Sequence, residues 1–199
     1  MNARPGNYTI DLTFVVSEAV IDLSKLTANL TAKDKYTLTG TAPANIGVTI
    51  TDGAAVTLKD ATIELPDDCN YADITCSGDA VITLEGTNTV KGGNAAYLGI
   101  LIVSDDEHPA STLTIKGTGS LAASTNPSNQ TGASGIGGGD KASCGDITIT
   151  ASVTSVTTAK GTSAPNSIGA GDKGSCGTVT IGGAEGAITE SPYTYKPNP

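Results

Sequence analysis

The segment that decides the fold is IGGGDKASCGDITI at residues 136–149, which aligns without gaps to IGAGDKGSCGTVTI at residues 168–181. The two copies are identical at ten of fourteen positions and lie 32 residues apart. A threonine followed by an apolar residue recurs upstream at Thr57, Thr83 and Thr114. Such an internal repeat indicates a stack of similar units, none of which buries its apolar face alone.

Within each unit, apolar and polar residues alternate over short runs, and Gly, Asn or Asp mark the corners. This pattern predicts short β-strands joined by turns. A stacked coil places equivalent residues about 4.8 Å apart, so Ile136 should lie under Ile168, and Ile149 under Ile181. The expected fold is all-β, a single-stranded right-handed parallel β-helix (β-solenoid) of about five to six coils in one domain.

The two ends of the chain differ from the repeats. Residues 1–30 contain the most apolar stretch without the repeat and are expected to form an N-terminal cap. Residues 31–188 form the predicted β-solenoid. Residues 189–199 hold three prolines, which exclude a central strand and favour a terminal strap or a linker.

Composition excludes several partners. The 199-residue chain has 30 threonines and 25 glycines, a formal net charge of -9, and one arginine, Arg4. Without a cationic stripe, nucleic acid is not an expected partner. No apolar run approaches the roughly 20 residues that span a bilayer, so membrane insertion is not expected. The first residues lack the pattern of a secretion signal, which suggests a removed leader or another route out of the cell, such as a virus particle.

Several segments in order carry a resemblance to a known family. They are IDLSKLTA at 21–28, YTLTGT at 36–41, ITDGAAVTL at 50–58, LEGTNTV at 84–90 and LTIKGTGSL at 113–121. In these segments and in the two Ser-Cys-Gly loops, the chain resembles the right-handed parallel β-helix modules of secreted and surface proteins of anaerobic gut bacteria. The resemblance covers roughly residues 20–188. It implies an extracellular or cell-surface location and a carbohydrate-binding role, and comparable repeats occur in gut bacteriophage virion proteins.

A shallow saccharide site is predicted in the variable loops between coils. Aromatic rings stack on sugar faces and amide or carboxyl groups bond sugar hydroxyls. The candidate ligand-binding residues are Tyr71, Tyr97, Asn70, Asp73 and Asn94. The alternative is that the two tyrosines only cover the flank of the coil.

Two glycine-rich loops place an aspartate at equivalent positions, Asp140 and Asp172. No helix-forming sequence follows them, so a phosphate-binding loop is not expected. Stacked carboxylates repel each other unless a cation lies nearby. Calcium is one candidate cofactor, and the adjacent Lys141 and Lys173 are the alternative.

Cys144 and Cys176 are equivalent in the repeat, and adjacent coils bring Cα atoms within the range of a disulfide. The alternatives are a disulfide or a ladder of reduced thiols, and an anaerobic setting favours the ladder. Cys69 and Cys76 lie seven residues apart and form a second candidate pair.

The sequence offers only weak candidates for catalytic residues. The region of the repeats has no arginine to serve as the base of a polysaccharide lyase, and His108 is the only histidine. Asp60, Glu64 and Glu85 lie near strands but have no selective spacing. The sequence therefore predicts a non-catalytic extracellular module that binds a glycan or another surface ligand, or an adhesin-type spacer. A virion fibre or decoration protein and a calcium-dependent polysaccharide lyase are the alternatives, and the oligomeric state stays open.

Overall fold

The computed structural model describes residues 18–93, 98–104, 110–125 and 132–197. These residues form an all-β structure with no α-helix and one short 3-10 turn at Leu23–Lys25. The strands are β1 Ala19–Asp22, β2 Leu30–Ala32, β3 Lys35–Thr41, β4 Val48–Thr51, β5 Ala54–Glu64, β6 Ile74–Ser77, β7 Ala80–Glu85, β8 Thr87–Lys91, β9 Ile100–Val103, β10 Thr112–Gly117, β11 Ser120–Ser124, β12 Ile136–Gly137, β13 Ser143–Cys144, β14 Asp146–Ile149, β15 Ser155–Ala159, β16 Ile168–Gly169, β17 Ser175–Cys176, β18 Val179–Ile181, β19 Ala184–Glu185 and β20 Tyr193–Tyr195.

The strands make three parallel-rich faces. The first face has the order β1-β3-β5-β7-β10-β14-β18, and the second has the order β2-β4-β6-β9-β12-β16. The third face contains the carboxyl-terminal parts of β3 and β5, followed by β8, β11 and β15. Consecutive strands of one face are never adjacent in sequence, so the chain visits the other faces before it returns. This curled, parallel-rich arrangement is compatible with a β-solenoid.

The register confirms the predicted ladders. Ile136 pairs with Ile168 and Ile149 pairs with Ile181, in parallel strands. The paired segments are 32 residues apart, which is the offset of the sequence repeat. Identical side chains therefore stack directly on one another in this part of the molecule.

The recurring threonines do not all lie opposite one another. Thr83 pairs with Lys116, whereas Thr114 pairs with Val81. The offset between β7 and β10 is therefore 33 residues rather than the 31 that joins the two threonines. Because side chains alternate with a period of two, this shift of two residues keeps the apolar residues inward and only changes which outward residues are neighbours.

Alternation puts the apolar residues of the first face into the core. Val56, Ile82, Ile115, Ile149 and Ile181 form one continuous inward column across five strands, and each is buried. Burying an isoleucine or valine side chain contributes about 1.5–3 kcal/mol. This column, together with its equivalents on the other faces, holds the three faces around one core.

The corner between the first and third faces is formed differently in early and late repeats. β3 and β5 continue through the corner, at Gly40 and Asp60, which have φ of 79° and 49°. Residues with positive φ turn the strand without ending it. In the next repeat, Gly86 has φ of 66° and separates β7 from β8.

Aspartates at the start of first-face strands connect neighbouring repeats. The Asp52 carboxylate accepts the Asp79 N–H at 2.8 Å, and the Asp79 carboxylate accepts the Thr112 N–H at 2.8 Å. Further along, the Asp146 carboxylate accepts the Thr178 N–H at 2.7 Å. Each bond satisfies a backbone donor where the ladder begins, so the carboxylates help to fix the register of the first face.

A buried asparagine connects three repeats at the corner of the third face. Asn88 is fully buried, and its Oδ1 accepts the Ala61 N–H at 2.9 Å. Its Nδ2 donates to the carbonyl oxygens of Glu85 at 3.1 Å and Ser120 at 3.2 Å. The side chain thereby replaces backbone hydrogen bonds between strands, which the corner interrupts.

The carboxyl-terminal end of the described chain is closed by antiparallel strands. β19 pairs with β18, and β20 pairs with β15. The proline-rich tail is therefore an edge strand lying on the last strand of the third face, in the manner of a strap. At the other end, β1 pairs with β3, so part of the expected cap belongs to the first face. Residues 1–17 lie outside the described residues.

Candidate functional site

The loop between β5 and β6 carries Tyr71, the first predicted ligand-binding residue. Its hydroxyl donates to the carbonyl oxygen of Asn45 at 2.6 Å. The ring lies against Gly47, where an added Cβ would be 3.1 Å from Cε2 of the tyrosine. Desolvation raises the pKa of Tyr71. The half-buried ring is held against the preceding loop, and its role as a saccharide contact stays a prediction.

The other predicted saccharide contacts near Tyr71 differ in exposure. Asn70 is exposed in the same loop, but Asp73 has no exposed surface. Asp73 is therefore an interior group and not a surface hydrogen-bonding group. Tyr97 and Asn94 lie outside the described residues.

Asp73 is a carboxyl group in an apolar setting. Its Oδ1 accepts the Leu65 N–H at 2.9 Å, whereas Oδ2 is buried without a hydrogen-bond partner. Desolvation raises the pKa of Asp73 to about 8, against the opposing effect of the Leu65 N–H. The group is therefore largely protonated at neutral pH, which removes the cost of burying a charge.

The two glycine-rich loops stack as the repeat requires. The Lys141 N–H donates to the Asp172 carbonyl oxygen at 2.7 Å. The Lys141 and Lys173 ammonium groups lie 3.8 and 3.4 Å from Asp140 and Asp172, respectively. In these ion pairs a lysine lies beside each aspartate, which is the arrangement given above as the alternative to calcium. No group of three or more His, Cys, Asp or Glu side chains capable of holding a metal occurs among the described residues, and calcium stays a prediction.

The repeat-equivalent cysteines are paired in register. Cys144 of β13 lies opposite Cys176 of β17, with Cα atoms 4.4 Å apart, and the two sulfurs form a disulfide. Of the two alternatives, the structure therefore has the disulfide and not the ladder of free thiols. Cys69 and Cys76 do not pair with each other. Both are buried and free, and burial raises the pKa of Cys76 to about 12.

Two of the acidic residues considered for catalysis have structural contacts. The Asp60 carboxylate accepts the Thr87 N–H at 2.9 Å, and Glu85 forms an ion pair with Lys59 at 3.1 Å. Glu64 is exposed on the third face, and His108 lies outside the described residues. The described residues therefore give no support to a pair of carboxylates facing a common substrate.

Sequence reasoning missed a groove on the outer surface of the first face. The groove has a volume of about 370 Å³. It is lined by Glu18, Lys35, Ala55, Thr57, Val81, Thr83 and Lys116. We call it the first-face groove.

Period-two alternation explains the lining of the first-face groove. Thr57 and Thr83 are paired on adjacent strands and point outward, because Leu58 and Leu84 beside them point into the core. The two hydroxyls have no hydrogen-bond partner within the described chain. The recurring pair of a threonine and a following apolar residue was the sequence signal for this surface. From the sequence alone, the pair indicated only the fold.

Comparisons with protein-family models, curated proteins and solved structures found no match to the chain. The family resemblance therefore stays a prediction. Within the described residues, no helix has the length and apolar character needed to cross a membrane.

Proposed function

We propose that the chain is a single right-handed parallel β-solenoid that acts as a non-catalytic extracellular module and binds carbohydrate on its first face. The parallel registers support the solenoid, because strands of each face recur in chain order. Crossover connections between parallel strands of one sheet are right-handed in about 98% of cases. The disulfide is in keeping with an oxidising extracellular compartment.

The observation that carries the binding proposal is the first-face groove. Its floor contains Ala55 and Val81, and the unbonded hydroxyls of Thr57 and Thr83 lie beside them. An apolar surface with a few polar groups suits a sugar, which offers both C–H faces and hydroxyls. The strands beneath the groove belong to a paired sheet, so little conformational entropy is lost on binding.

Catalysis is a weaker interpretation of the same surface. Among the described residues, Glu18 is the only carboxylate that lines the first-face groove, and its Oε1 accepts the Thr37 hydroxyl at 2.6 Å. Glycoside hydrolysis ordinarily requires two carboxyl groups across the scissile bond. A lone carboxylate is better suited to accept a hydrogen bond from a sugar hydroxyl.

The test is a glycan array probed with the full chain and with a Thr57→Val/Thr83→Val double variant. Valine keeps the β-branched shape and removes both hydroxyls, so we expect binding to fall while the melting temperature is retained. Thr148→Val is the matched control, because Thr148 lies outward on the same face beyond the groove.

Three results would overturn this proposal. One is the absence of binding to any glycan, and another is equal binding by the double variant and the native chain. The third is binding that is lost on Tyr71→Ala but kept in the double variant, which would move the site to the β5–β6 loop.

A further inference from the structure

The first-face groove has a cationic group at each end. Lys35 lies on β3 and Lys116 on β10, and β5 and β7 lie between them. β3 and β10 are three strand spacings apart, a distance of roughly 14 Å. Thr57, Thr83 and Lys116 lie in one row across the strands. Lys35 lies two residues away along the strand direction, in the row of Ala55 and Val81.

Neither of these two lysines forms an ion pair in the described chain, which several other lysines share. Lys59, Lys141 and Lys173 each lie within 4 Å of a carboxylate. Lys35 and Lys116 have no ion-pair partner among the described residues. The lining of the groove has two lysines and one glutamate, Glu18, and so carries a formal charge of +1, whereas the whole chain carries -9.

The two ends of the groove are electrostatically unequal. Glu18 lines the groove near the β1 edge, where its carboxylate is already bonded to the Thr37 hydroxyl. Lys116 is paired in register with Thr83, at the end remote from Glu18. Lys116 is therefore the lysine of the groove that lies farther from Glu18.

From this arrangement we infer that the first-face groove binds an anionic saccharide, whose carboxylate or sulfate contacts the Lys116 ammonium and whose hydroxyls contact Thr57 and Thr83. Lys35 binds a second anionic group where the ligand is long enough to reach it. A charge-assisted hydrogen bond of this kind is stronger than a neutral one. This inference rests on the proposed carbohydrate-binding function and assigns it a ligand class.

The experiment measures the Kd of three probes by isothermal titration: an oligogalacturonate, its methyl ester and a sulfated galactan oligosaccharide. The methyl ester keeps the sugar hydroxyls and removes the charge. Lys116→Gln is the test variant, and Lys35→Gln reports the other end. Lys196→Gln makes the same change of net charge at an exposed residue after β20, away from the groove.

We expect Lys116→Gln to weaken oligogalacturonate binding roughly tenfold, which is the effect of one charge-assisted contact. Lys35→Gln should have a smaller effect, and Lys196→Gln none. Binding should weaken as ionic strength rises, because exposed charges are screened. Tighter binding of the sulfated probe, with the same dependence on Lys116, would support the anionic class and identify sulfate as its source.

Two results separate this inference from the proposed function. If the acid and its methyl ester bind equally and Lys116→Gln has no effect, the anionic class is overturned, while carbohydrate binding through the threonines stands. If neither these probes nor neutral glycans bind the native chain, the proposed function fails and the ligand class fails with it. Melting temperatures of the variants confirm that each exposed substitution leaves the fold intact.

Discussion

The buried carboxyl of Asp73 makes the stability of this protein depend on pH. In the folded chain its pKa is raised to about 8, because burial disfavours the charged form. In the unfolded chain the group returns to a pKa near 3.8. Between these values the folded state binds the proton and the unfolded state does not. Stability should therefore fall as pH rises from about 4 to about 8, and this contribution should level off above that range.

The size of the effect follows from the two pKa values. Each pKa unit corresponds to 1.36 kcal/mol, and the difference is about four units, so the full change is on the order of 5 kcal/mol. Asp73→Asn removes the titrating group and keeps an oxygen that can accept the Leu65 N–H. The variant should be as stable as the native protein or less so near pH 5, and more stable than it at pH 8.

Urea unfolding at pH 5, 6, 7 and 8 measures this directly. Asp68→Asn is the matched control, because Asp68 lies exposed in the same loop and the substitution makes the same chemical change outside the core. Parallel stability curves for native protein and Asp73→Asn would refute the reasoning, since they would show that the Asp73 carboxyl does not gain a proton on folding.

Two further predictions concern the contacts between repeats. Asn88→Ala should lower the free energy of unfolding by about 2–4 kcal/mol, because it removes the three hydrogen bonds that this buried side chain makes to the backbone. Urea unfolding would test this, and a loss below 1 kcal/mol would contradict it. Cys144→Ser/Cys176→Ser should destabilise the oxidised protein by roughly 3–4 kcal/mol, as loss of a cross-link across 32 residues predicts. A thiol-reducing agent should lower the melting temperature of the native chain only, and equal shifts in both proteins would argue against the bond.

Much of the fold could be predicted from the sequence, because the repeat and its period specify parallel neighbours. The ladder of Ile136 on Ile168 follows from the 32-residue offset alone. The neighbours of Thr83 could not be found in the same way, since its repeat and the next differ in length. A shift of two residues is invisible to hydrophobic alternation, so only the structure distinguishes the two registers.

The candidate site was less predictable than the fold. Polarity placed Asp73 at the surface, whereas its position directly before the buried strand β6 puts it in the interior. The composition and polarity of the sequence do not reveal that a carboxyl group is kept neutral by burial. The first-face groove was missed for another reason. Its residues are scattered from 18 to 116 in sequence, and only the register brings them together.

That register also explains why the proposed ligand binding and the stability of the fold depend on different residues of the first face. Inward columns such as Val56, Ile82 and Ile115 fill the core, whereas Thr57, Thr83 and Lys116 form a column on the opposite side of the same strands. Outward residues can therefore change the charge and hydrogen-bonding capacity of the groove at little cost to folding. The two-residue shift between β7 and β10 has a chemical consequence in this column, because it puts an ammonium group beside Thr83 where a continued threonine ladder would put a hydroxyl. The character of the proposed site is thus set by one change of repeat length rather than by a change in the core.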